Sequence, residues 1–378
     1  MDNSNINEIP LLIAISRLPT KERVAALKIY LNNEDAQCRD ELLSQKIPTL
    51  RRYFRNNETK EEILKLIDKV EKQKVKVLTI KDQLYPAQLR NIYDPPAVLY
   101  YLGELNPPFA IKPRIAIVGS RQADKEGVLI AEDFANTLAG YGACIVSGLA
   151  LGIDAAAHRG AISLNHGKST IAVLGNALPS ILPNSNSRLG KEILESGGII
   201  FSQFEPGSNT FPSNFIDRNR VIAGLSLGVL VVQAVERSGS LVTARYALEE
   251  GREVMVIPGS IKNHRYNGSN KIIKDGAIVV TKPIEILEAL QLIVQSDPEK
   301  IDHKIDAETV REFYDVALNE GGIGSQILKI LSERGSMLIE ELKMELGSPI
   351  DFSTKLLELE LSDAIVRLPG NQITALGQ

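Results

Sequence analysis

Small residues follow several predicted strands in the middle of the chain, where they favour a phosphate-bearing ligand. The turns are Gly119-Ser120-Arg121, Ser147-Gly148, Gly175-Asn176, Glu236 to Ser240 and Pro258-Gly259-Ser260. Small side chains let a ligand approach the backbone, and each following helix offers free N–H groups and a partial positive charge. Amides of this kind, with Ser120, Ser147 and Ser240 as donors, suit phosphate. One such turn is equally typical of an ordinary strand-to-helix connection, but five at one edge favour phosphate.

A second candidate segment, residues 211–224, combines basic, polar and aromatic side chains. It contains Phe215, Arg218, Asn219 and Arg220. Arginine makes bidentate phosphate contacts, and an exposed aromatic ring at Phe215 would offer a stacking surface for an unpaired base. The alternative is that Phe211 and Phe215 belong to the core and that the arginines pair with Asp217 or Glu205.

Other phosphate and catalytic motifs fail their own tests. A G-x-G-x-x-G fingerprint does not follow the first predicted strand, and Gly167-Lys168-Ser169 lacks the P-loop glycine, because Ile162 stands in its place. A strand also follows that triplet where a P-loop needs a helix. Asp154 and His158 lie one helical turn apart, which suits a structural pair or a catalytic one. We therefore expect a binding protein and not an enzyme.

The elements that position these residues alternate regularly between residues 114 and 280. The predicted strands are Ile115–Val118, Ala143–Ser147, Thr170–Leu174, Gly198–Ser202, Gly228–Gln233, Glu253–Ile257 and Ala277–Val280. Helical patterns between them include Val128–Leu138, Ile153–Ser163, Leu189–Glu195 and Leu241–Glu250. Apolar strands alternating with helices predict an α/β fold with a parallel sheet covered on both faces. Right-handed crossovers put the carboxyl ends of the strands at one edge, where ligands bind.

The flanking segments predict further domains. Residues 1–75 have helical patterns, and breakers between residues 78 and 106 surround a candidate strand at Val98–Tyr101. Helical patterns at Ile323–Leu331, Leu338–Leu346 and Phe352–Leu361 precede candidate strands at Ala364–Leu368 and Gln372–Leu376, which is typical of a winged helix. The predicted divisions are a helical domain at 1–80, the core at 81–295, a linker at 296–320 and a winged-helix module at 321–378.

Composition and charge limit the function classes. Two cysteines, Cys38 and Cys144, and four scattered histidines show no metal-ligand spacing, so we expect no metal or other cofactor and a reducing, cytoplasmic setting. The longest apolar stretch, Val221–Val235, is too short to span a bilayer, so no membrane partner is expected. The net charge of −4 hides an uneven distribution, because residues 281–378 carry 9 basic against 18 acidic residues. Residues 111–280 carry 17 against 14, which leaves room for a basic face.

The motifs of residues 111–280 resemble the DNA-processing protein A family, also called DprA or Smf. The matching segments, in order, are Ile117 to Arg121, Val146 to Ala150, Gly152 to Asp154, Ala157 to His158, Ile171 to Gly175, Arg218 to Ser226, Ser238 to Ala244, Gly251 to Val254, Val256 to Ser260 and Gly268 to Asn270. The flanks are similar to that family too, since Asp94 to Tyr100 looks like the entry to its core. The resemblance implies an extended Rossmann-like core, an N-terminal domain similar to a sterile alpha motif (SAM) and a C-terminal winged helix.

The resemblance also implies a function. Members of the family bind single-stranded DNA, form homodimers and load the RecA recombinase, and they protect incoming DNA during natural transformation. Their Gly-Ser-Arg turn contacts phosphate and their Arg-Asn-Arg segment lies nearby, with an aromatic residue for base stacking. The predicted nucleic-acid-binding residues are Gly119, Ser120, Arg121, Ser147, Gly148, Arg159, Phe215, Arg218, Asn219, Arg220, Ser238, Gly239 and Ser240.

Four positions depart from the family pattern. Leu151 replaces a usual arginine, Gln203 and Gln233 replace usual glutamates, and Ile216 replaces a usual proline. The loss of an arginine weakens phosphate binding, whereas the loss of two acids favours it. The chain is therefore either a typical member with altered DNA affinity or a diverged paralogue.

Two other functions remain open. Related Rossmann-like proteins hydrolyse nucleoside monophosphates, but the expected acidic residue is not evident in the turn Ser238 to Thr243. A scaffold that senses a nucleotide without binding DNA is the other possibility. The winged-helix module has a separate expectation, because its candidate for duplex reading, Asp351–Leu361, carries Asp351, Glu358 and Glu360 against Lys355. Repulsion from phosphate predicts a protein contact or a structural role for that helix, not duplex reading.

Overall fold

A computed structural model describes most of the chain. It covers residues 8–33, 35–105, 112–163, 170–292, 323–346, 352, 355–356, 359, 364–368 and 372–375. The chain divides into two compact units, Met1–Ala289 and Leu290–Gln378, and each has its own cluster of buried apolar side chains. Within these described ranges, no helix is both long enough and apolar enough to cross a membrane.

The first unit is built on a nine-stranded sheet in the order β1-β2-β6-β5-β4-β3-β7-β8-β9. The strands are β1 Lys76–Thr79, β2 Val98–Leu102, β3 Arg114–Val118, β4 Cys144–Ser147, β5 Thr170–Leu174, β6 Ile199–Ser202, β7 Gly228–Val231, β8 Glu253–Val256 and β9 Ile278–Val279. Strands β3 to β9 pair in parallel, and β2 and β1 extend the β6 edge in antiparallel pairing. The predicted parallel sheet is therefore confirmed, and an antiparallel edge is added to it.

Helices connect the strands, because each parallel crossover must return to the same end of the sheet. In chain order the helices of the first unit are α1 Ile9–Ser16, α2 Thr20–Leu31, α3 Ala36–Lys46, α4 Arg51–Arg55, α5 Asn57–Lys72, α6 Ala87–Arg90, α7 Lys125–Gly140, α8 Ile153–Ile162, α9 Ser187–Glu195, α10 Pro212–Asp217, α11 Asn219–Leu225, α12 Gly239–Glu249, α13 Asn267–Lys274 and α14 Pro283–Ala289. Helix α8 begins directly after Gly152, where φ is +75° and a Cβ would collide with the Ser120 carbonyl. Only glycine fits there, and this close approach brings the β3 and β4 turns together.

The N-terminal helices pack onto the sheet. Helix α1 is apolar on every side and its first seven residues are buried, as expected for a helix enclosed by other elements. Arg23 of α2 donates two hydrogen bonds to Asp94, at 2.8 and 2.5 Å. The helices and the sheet share one hydrophobic cluster. They form one compact unit, and the predicted domain division at residue 80 stays a prediction.

The second unit contains helices α15 Ile323–Arg334 and α16 Ile339–Glu345. Strands β10 Met337–Leu338, β11 Ile365–Leu368 and β12 Gln372–Ala375 form an antiparallel sheet in the order β10-β12-β11. Both strands of the predicted hairpin are present. The predicted linker at 296–320 and most of the predicted helix Phe352–Leu361 lie outside the described residues, so the winged helix stays a prediction.

Candidate nucleic-acid interface

A cleft of about 700 Å³ opens at the carboxyl ends of the parallel strands. The turns after β3, β4, β7 and β8 line it, together with α10 and α11. Nine of the predicted binding residues lie in its wall: Gly119, Ser120, Arg121, Phe215, Arg218, Asn219, Ser238, Gly239 and Ser240. The strand-edge arrangement therefore brings together residues that are more than a hundred positions apart in the chain.

Arg121 and Phe215 form a charged aromatic platform at this cleft. The Arg121 guanidinium carbon lies 5.6 Å from the centroid of the Phe215 ring, which is a cation–π distance. Arg121 is exposed. The expected exposure of Phe215 is wrong, because its ring is half-buried against the β5 turn. A Cβ at Gly175 would lie 2.5 Å from a ring carbon, so glycine is needed for this contact.

Arg218 belongs to the wall of the cleft and not to its open surface. Its side chain is buried and donates hydrogen bonds to the carbonyls of Gly148, at 2.6 Å, and Val173. Burial lowers its pKa to about 10, against the opposing effect of the Asp154 charge, so it stays protonated at neutral pH. A Cβ at Gly148 would lie 2.5 Å from the guanidinium, which explains that glycine. Arg218 thus ties the carboxyl ends of β4 and β5 together.

The turn amides are partly engaged within the protein. The Ser120 N–H donates to the Gln233 carbonyl at 2.7 Å, and the Ser240 N–H donates to the Ser238 hydroxyl at 3.3 Å. Asn219 donates to the Gly239 carbonyl at 3.1 Å and so fixes the start of α12. The Ser120 and Ser240 N–H groups therefore already have protein acceptors in this conformation.

Asp154 and His158 have separate partners and do not form the pair that their spacing suggested. The Asp154 carboxylate accepts from the N–H groups of Gly148, at 3.1 Å, and Ala150, at 3.4 Å. Burial raises the pKa of Asp154, although the Arg218 charge opposes this shift. His158 shares a hydrogen bond of 2.7 Å with the Thr170 hydroxyl, and burial lowers its pKa to about 3. The imidazole is therefore neutral and structural at neutral pH.

Four predicted residues do not line the cleft. Ser147 is fully buried and donates to the Ile117 carbonyl at 2.6 Å, and Gly148 lies behind it against Arg218. Arg159 forms an ion pair with Glu132 at 2.7 Å on the outer surface of α8. Residues two apart on a helix point in nearly opposite directions, which explains why Arg220 leaves the cleft while Arg218 lines it.

Arg220 lines a second cleft of about 610 Å³ between the N-terminal helices and the sheet. It donates to the Gln203 side chain at 2.6 Å and to the Asp94 carbonyl. The Arg23–Asp94 pair lies in the same cleft. Both arginines are thus engaged by protein acceptors, and the partners of Arg220 are Asp94 and Gln203, not Asp217 or Glu205.

Sequence reasoning missed two basic residues of the first cleft. His264 and Arg265 line it from the loop after β8, and the Arg265 Nε donates to the Gln122 carbonyl at 3.2 Å. The signal was present in the sequence, because His264 and Arg265 follow the Pro258-Gly259-Ser260 turn at the same edge. Arg265 and Arg121 give the cleft two cations that have no described carboxylate as an ion-pair partner.

The departures from the family pattern have different surroundings. Leu151 and Ile216 are 44% and 49% exposed, so neither is a packing residue. Gln233 is buried and exchanges two hydrogen bonds with Asp124, at 3.1 and 3.0 Å.

Within the described part of the chain, no three His, Cys, Asp or Glu side chains are grouped so that they could hold a metal ion.

The family model and the relatives found by comparison with known proteins agree with one another. Residues 76–291 match the family model for DNA recombination-mediator protein A. Protein Smf of Escherichia coli (strain K12) is 41% identical over 295 residues, which are 77% of this chain and 75% of that protein. The DNA processing protein DprA of Streptococcus pneumoniae is 42% identical over 216 residues, which are 57% and 74% of the two chains.

Two solved structures share the fold. DprA from Streptococcus pneumoniae superposes with a TM-score of 0.62 at 32% identity, over 79% of this chain and 99% of that one. DNA processing protein A from Helicobacter pylori, a protein with a described single-stranded DNA binding mode, superposes with a TM-score of 0.52 at 27% identity. That similarity covers 58% of this chain and 97% of the other.

Proposed function

Because the chain belongs to the DNA recombination-mediator protein A family, we propose that it binds single-stranded DNA in the cleft at the carboxyl edge of its sheet. The observation that carries this proposal is the Arg121 guanidinium over the Phe215 ring at that cleft. A cation beside an aromatic face is the combination that proteins use for a backbone phosphate and an unpaired base.

The contacts fall on three side chains of the cleft. Arg121 and Arg265, which donates to the carbonyl of the neighbouring Gln122, would neutralise phosphates, and Phe215 would offer its ring to a base. Stacking tolerates every base, so binding is not sequence-specific. Paired bases are not free to stack on Phe215, so a single strand binds more tightly than a duplex.

We further propose that the protein acts in DNA processing and recombination as a homodimer, protects incoming single strands during natural transformation and loads RecA in the cytoplasm. This part rests on the family resemblance alone. We propose no hydrolysis of nucleotides in the cleft, because its carboxylate Asp154 is buried and accepts hydrogen bonds from backbone N–H groups.

Fluorescence anisotropy of a labelled oligonucleotide tests the proposal. The wild type, Arg121→Ala and Arg265→Ala are titrated against a single strand and against a duplex, over a series of salt concentrations. Arg188→Ala is the matched control, because Arg188 is an exposed arginine on α9 away from the cleft. Release of free base from a mononucleotide is measured in parallel.

We expect preference for the single strand and weaker binding in both cleft variants. Each lost phosphate contact should reduce the slope of log affinity against log salt by about 0.7. The Arg188→Ala control should bind as the wild type does. Absence of binding, or equal binding by Arg121→Ala and the wild type, would overturn the proposal, and base release would favour hydrolysis instead.

A further inference from the structure

The loop between β6 and α10 connects the cleft to the N-terminal helices. Residues 207–211 are exposed and uncharged, and Thr210 and Phe211 line the cleft. Phe211 is 57% exposed, so it offers an open aromatic face at the rim. The nearest carboxylate in the loop, Glu205, is held by Arg17 of the segment after α1 through two hydrogen bonds of 2.8 Å. Single-stranded DNA that leaves the cleft along this loop would therefore meet no carboxylate of the loop that lacks a basic partner.

Lys69 of α5 lies at the far end of this loop. A Cβ at Gly207 would lie 3.5 Å from the Lys69 Nζ, and the four steps along the chain from Gly207 to Phe211 span at most about 14 Å. The ammonium group is thus within a short distance of the cleft rim. The loop residues in between carry hydroxyl and amide groups that can bond to phosphate or base edges.

Two further lysines continue the positive surface. Lys65, Lys69 and Lys72 are exposed and follow the i, i+4, i+7 spacing that places them on one face of α5. The opposite face carries the buried Ile63 and Val70. None of the three lysines forms an ion pair with a carboxylate that the structure describes. The segment 65–74 contains four lysines and two acidic residues, of which the exposed Asp68 lies on the same face as the lysines. Glu61 and Glu62 lie on that face one turn before Lys65, so the net positive charge is confined to the C-terminal half of α5.

We propose that the path of single-stranded DNA continues from the cleft, across the 207–211 loop, onto the lysine face of α5. This inference rests on the proposed function and extends it, because it gives the N-terminal helices a direct part in DNA binding. Lysine is a compact point charge on a mobile stem, which suits contacts with a backbone whose bases are not read. The continuity of the surface with the cleft identifies the ligand as the same strand.

Length dependence of binding separates this extension from the cleft itself. Anisotropy is measured with two labelled oligothymidylates, one of about 6 nucleotides that fills the cleft and one of about 20 that reaches beyond it. The full-length protein is compared with Lys69→Glu/Lys72→Glu. The control is Lys21→Glu/Lys28→Glu on α2, which makes the same charge change at two exposed lysines of another helix. Lys69→Arg/Lys72→Arg keeps the charge.

We expect the double glutamate variant to bind the short oligonucleotide as the wild type does and the long one roughly 25-fold more weakly at 0.1 M salt, because two contacts with slopes of about −0.7 contribute about 1.4 log units relative to 1 M salt. The salt slope for the long oligonucleotide should fall by about 1.4 in the same variant. The arginine variant should retain wild-type affinity for both lengths.

An unchanged ratio of long to short affinity in the double glutamate variant would overturn the extension while leaving the cleft intact. An equal loss in the α2 control would also overturn it, since general charge would then explain the effect. If the wild type binds neither oligonucleotide, or if Arg121→Ala leaves short-oligonucleotide binding unchanged, the proposed function itself fails and the extension fails with it. A thermal melt of each variant shows that the loss is not unfolding.

Discussion

Arg121 can contribute to binding in two ways, through the charge of its guanidinium and through the planar shape of that group. Its guanidinium is planar and lies over the Phe215 ring, and it also offers bidentate donors to phosphate. A base that stacks on Phe215 must displace the guanidinium or stack with it. Arg121 therefore supplies a positive charge, and it also covers the Phe215 ring when no base is stacked there.

Replacement of Arg121 by lysine separates charge from shape. We expect Arg121→Lys to bind single strands with an affinity between those of the wild type and Arg121→Ala, because lysine keeps the charge and loses the planar, bidentate group. The loss relative to the wild type should be about 0.5–1 kcal/mol, the usual size of an exposed cation–π contact. Anisotropy titrations at two salt concentrations measure it. If lysine restores full affinity, the stacked geometry has no role in binding.

His158 is one of the groups that make stability depend on pH. Burial, with a contribution from the Arg218 charge, lowers its pKa to about 3 in the folded protein, against about 6.5 in an unfolded chain. Between these values the unfolded state binds a proton that the folded state does not, so stability is complete above about pH 6.5 and falls as the pH decreases. His158 should contribute up to about 1.4 kcal/mol of lost stability per pH unit in this window.

Urea unfolding of the wild type and His158→Asn between about pH 6.5 and 4 tests this assignment. Asparagine can keep a hydrogen bond to the Thr170 hydroxyl but does not titrate, so the variant should show a shallower dependence of unfolding free energy on pH. Asp154 titrates in both proteins, so its contribution to the pH dependence of the unfolding free energy is the same in both and does not affect the comparison. Parallel pH curves for the two proteins would show that His158 is not the group responsible.

At the scale of elements, the end of β7 is joined to the start of α7 by a hydrogen-bond network. The Asp124 carboxylate caps α7 through the Gly127 N–H at 2.9 Å and also accepts from Gln233 and Asn263. These hydrogen bonds, that from Gly127 first, lower the pKa of Asp124 against the opposing effect of burial. Gln233 is therefore required as a donor in this chain, although glutamate is usual at this position in the family pattern.

The two substitutions that restore the glutamates of the family pattern should change stability by different amounts. Gln233→Glu places a second carboxylate about 3 Å from Asp124 and should cost roughly 1–3 kcal/mol at neutral pH. Repulsion raises the folded pKa of one carboxyl of the pair, so the penalty is full above that pKa and disappears as the pH falls. Gln203→Glu faces the Arg220 guanidinium and should change stability by less than about 0.5 kcal/mol. Thermal melts at pH 7 and pH 5 compare the two, and equal destabilisation would contradict the network.

The sequence predicts most of the helices and strands but only part of the candidate site. The buried parallel strands were found within a few residues, because continuous apolar runs between helical patterns are characteristic of them. Strand β1 was missed, since Lys76–Thr79 is a short edge strand that is defined by its pairing with β2. Helical spacing implies that Arg218 and Arg220 point in different directions, but only tertiary packing decides which of the two faces the cleft.

At the scale of the whole molecule, charge is divided unequally between the two units. The chain carries a net charge of −4, and residues 293–378 contain 8 basic and 16 acidic residues. Their −8 leaves a net +4 on residues 1–292, which include the cleft and the lysine face of α5. The acidic segment should therefore oppose the approach of DNA through the long-range field, without any direct contact.

A chain that ends at residue 292 tests this electrostatic effect, because the first unit has its own hydrophobic cluster and is expected to fold alone. We expect the truncated protein to associate with single strands roughly two- to tenfold faster at low ionic strength. The advantage should vanish near 1 M salt, where the Debye length is about 3 Å. Stopped-flow anisotropy measures the association rate. A full-length variant with Glu340→Gln and Glu341→Gln on α16 should shift in the same direction by a smaller amount. Weaker binding of the truncated protein at every salt concentration would show instead that the C-terminal unit contributes contacts to DNA.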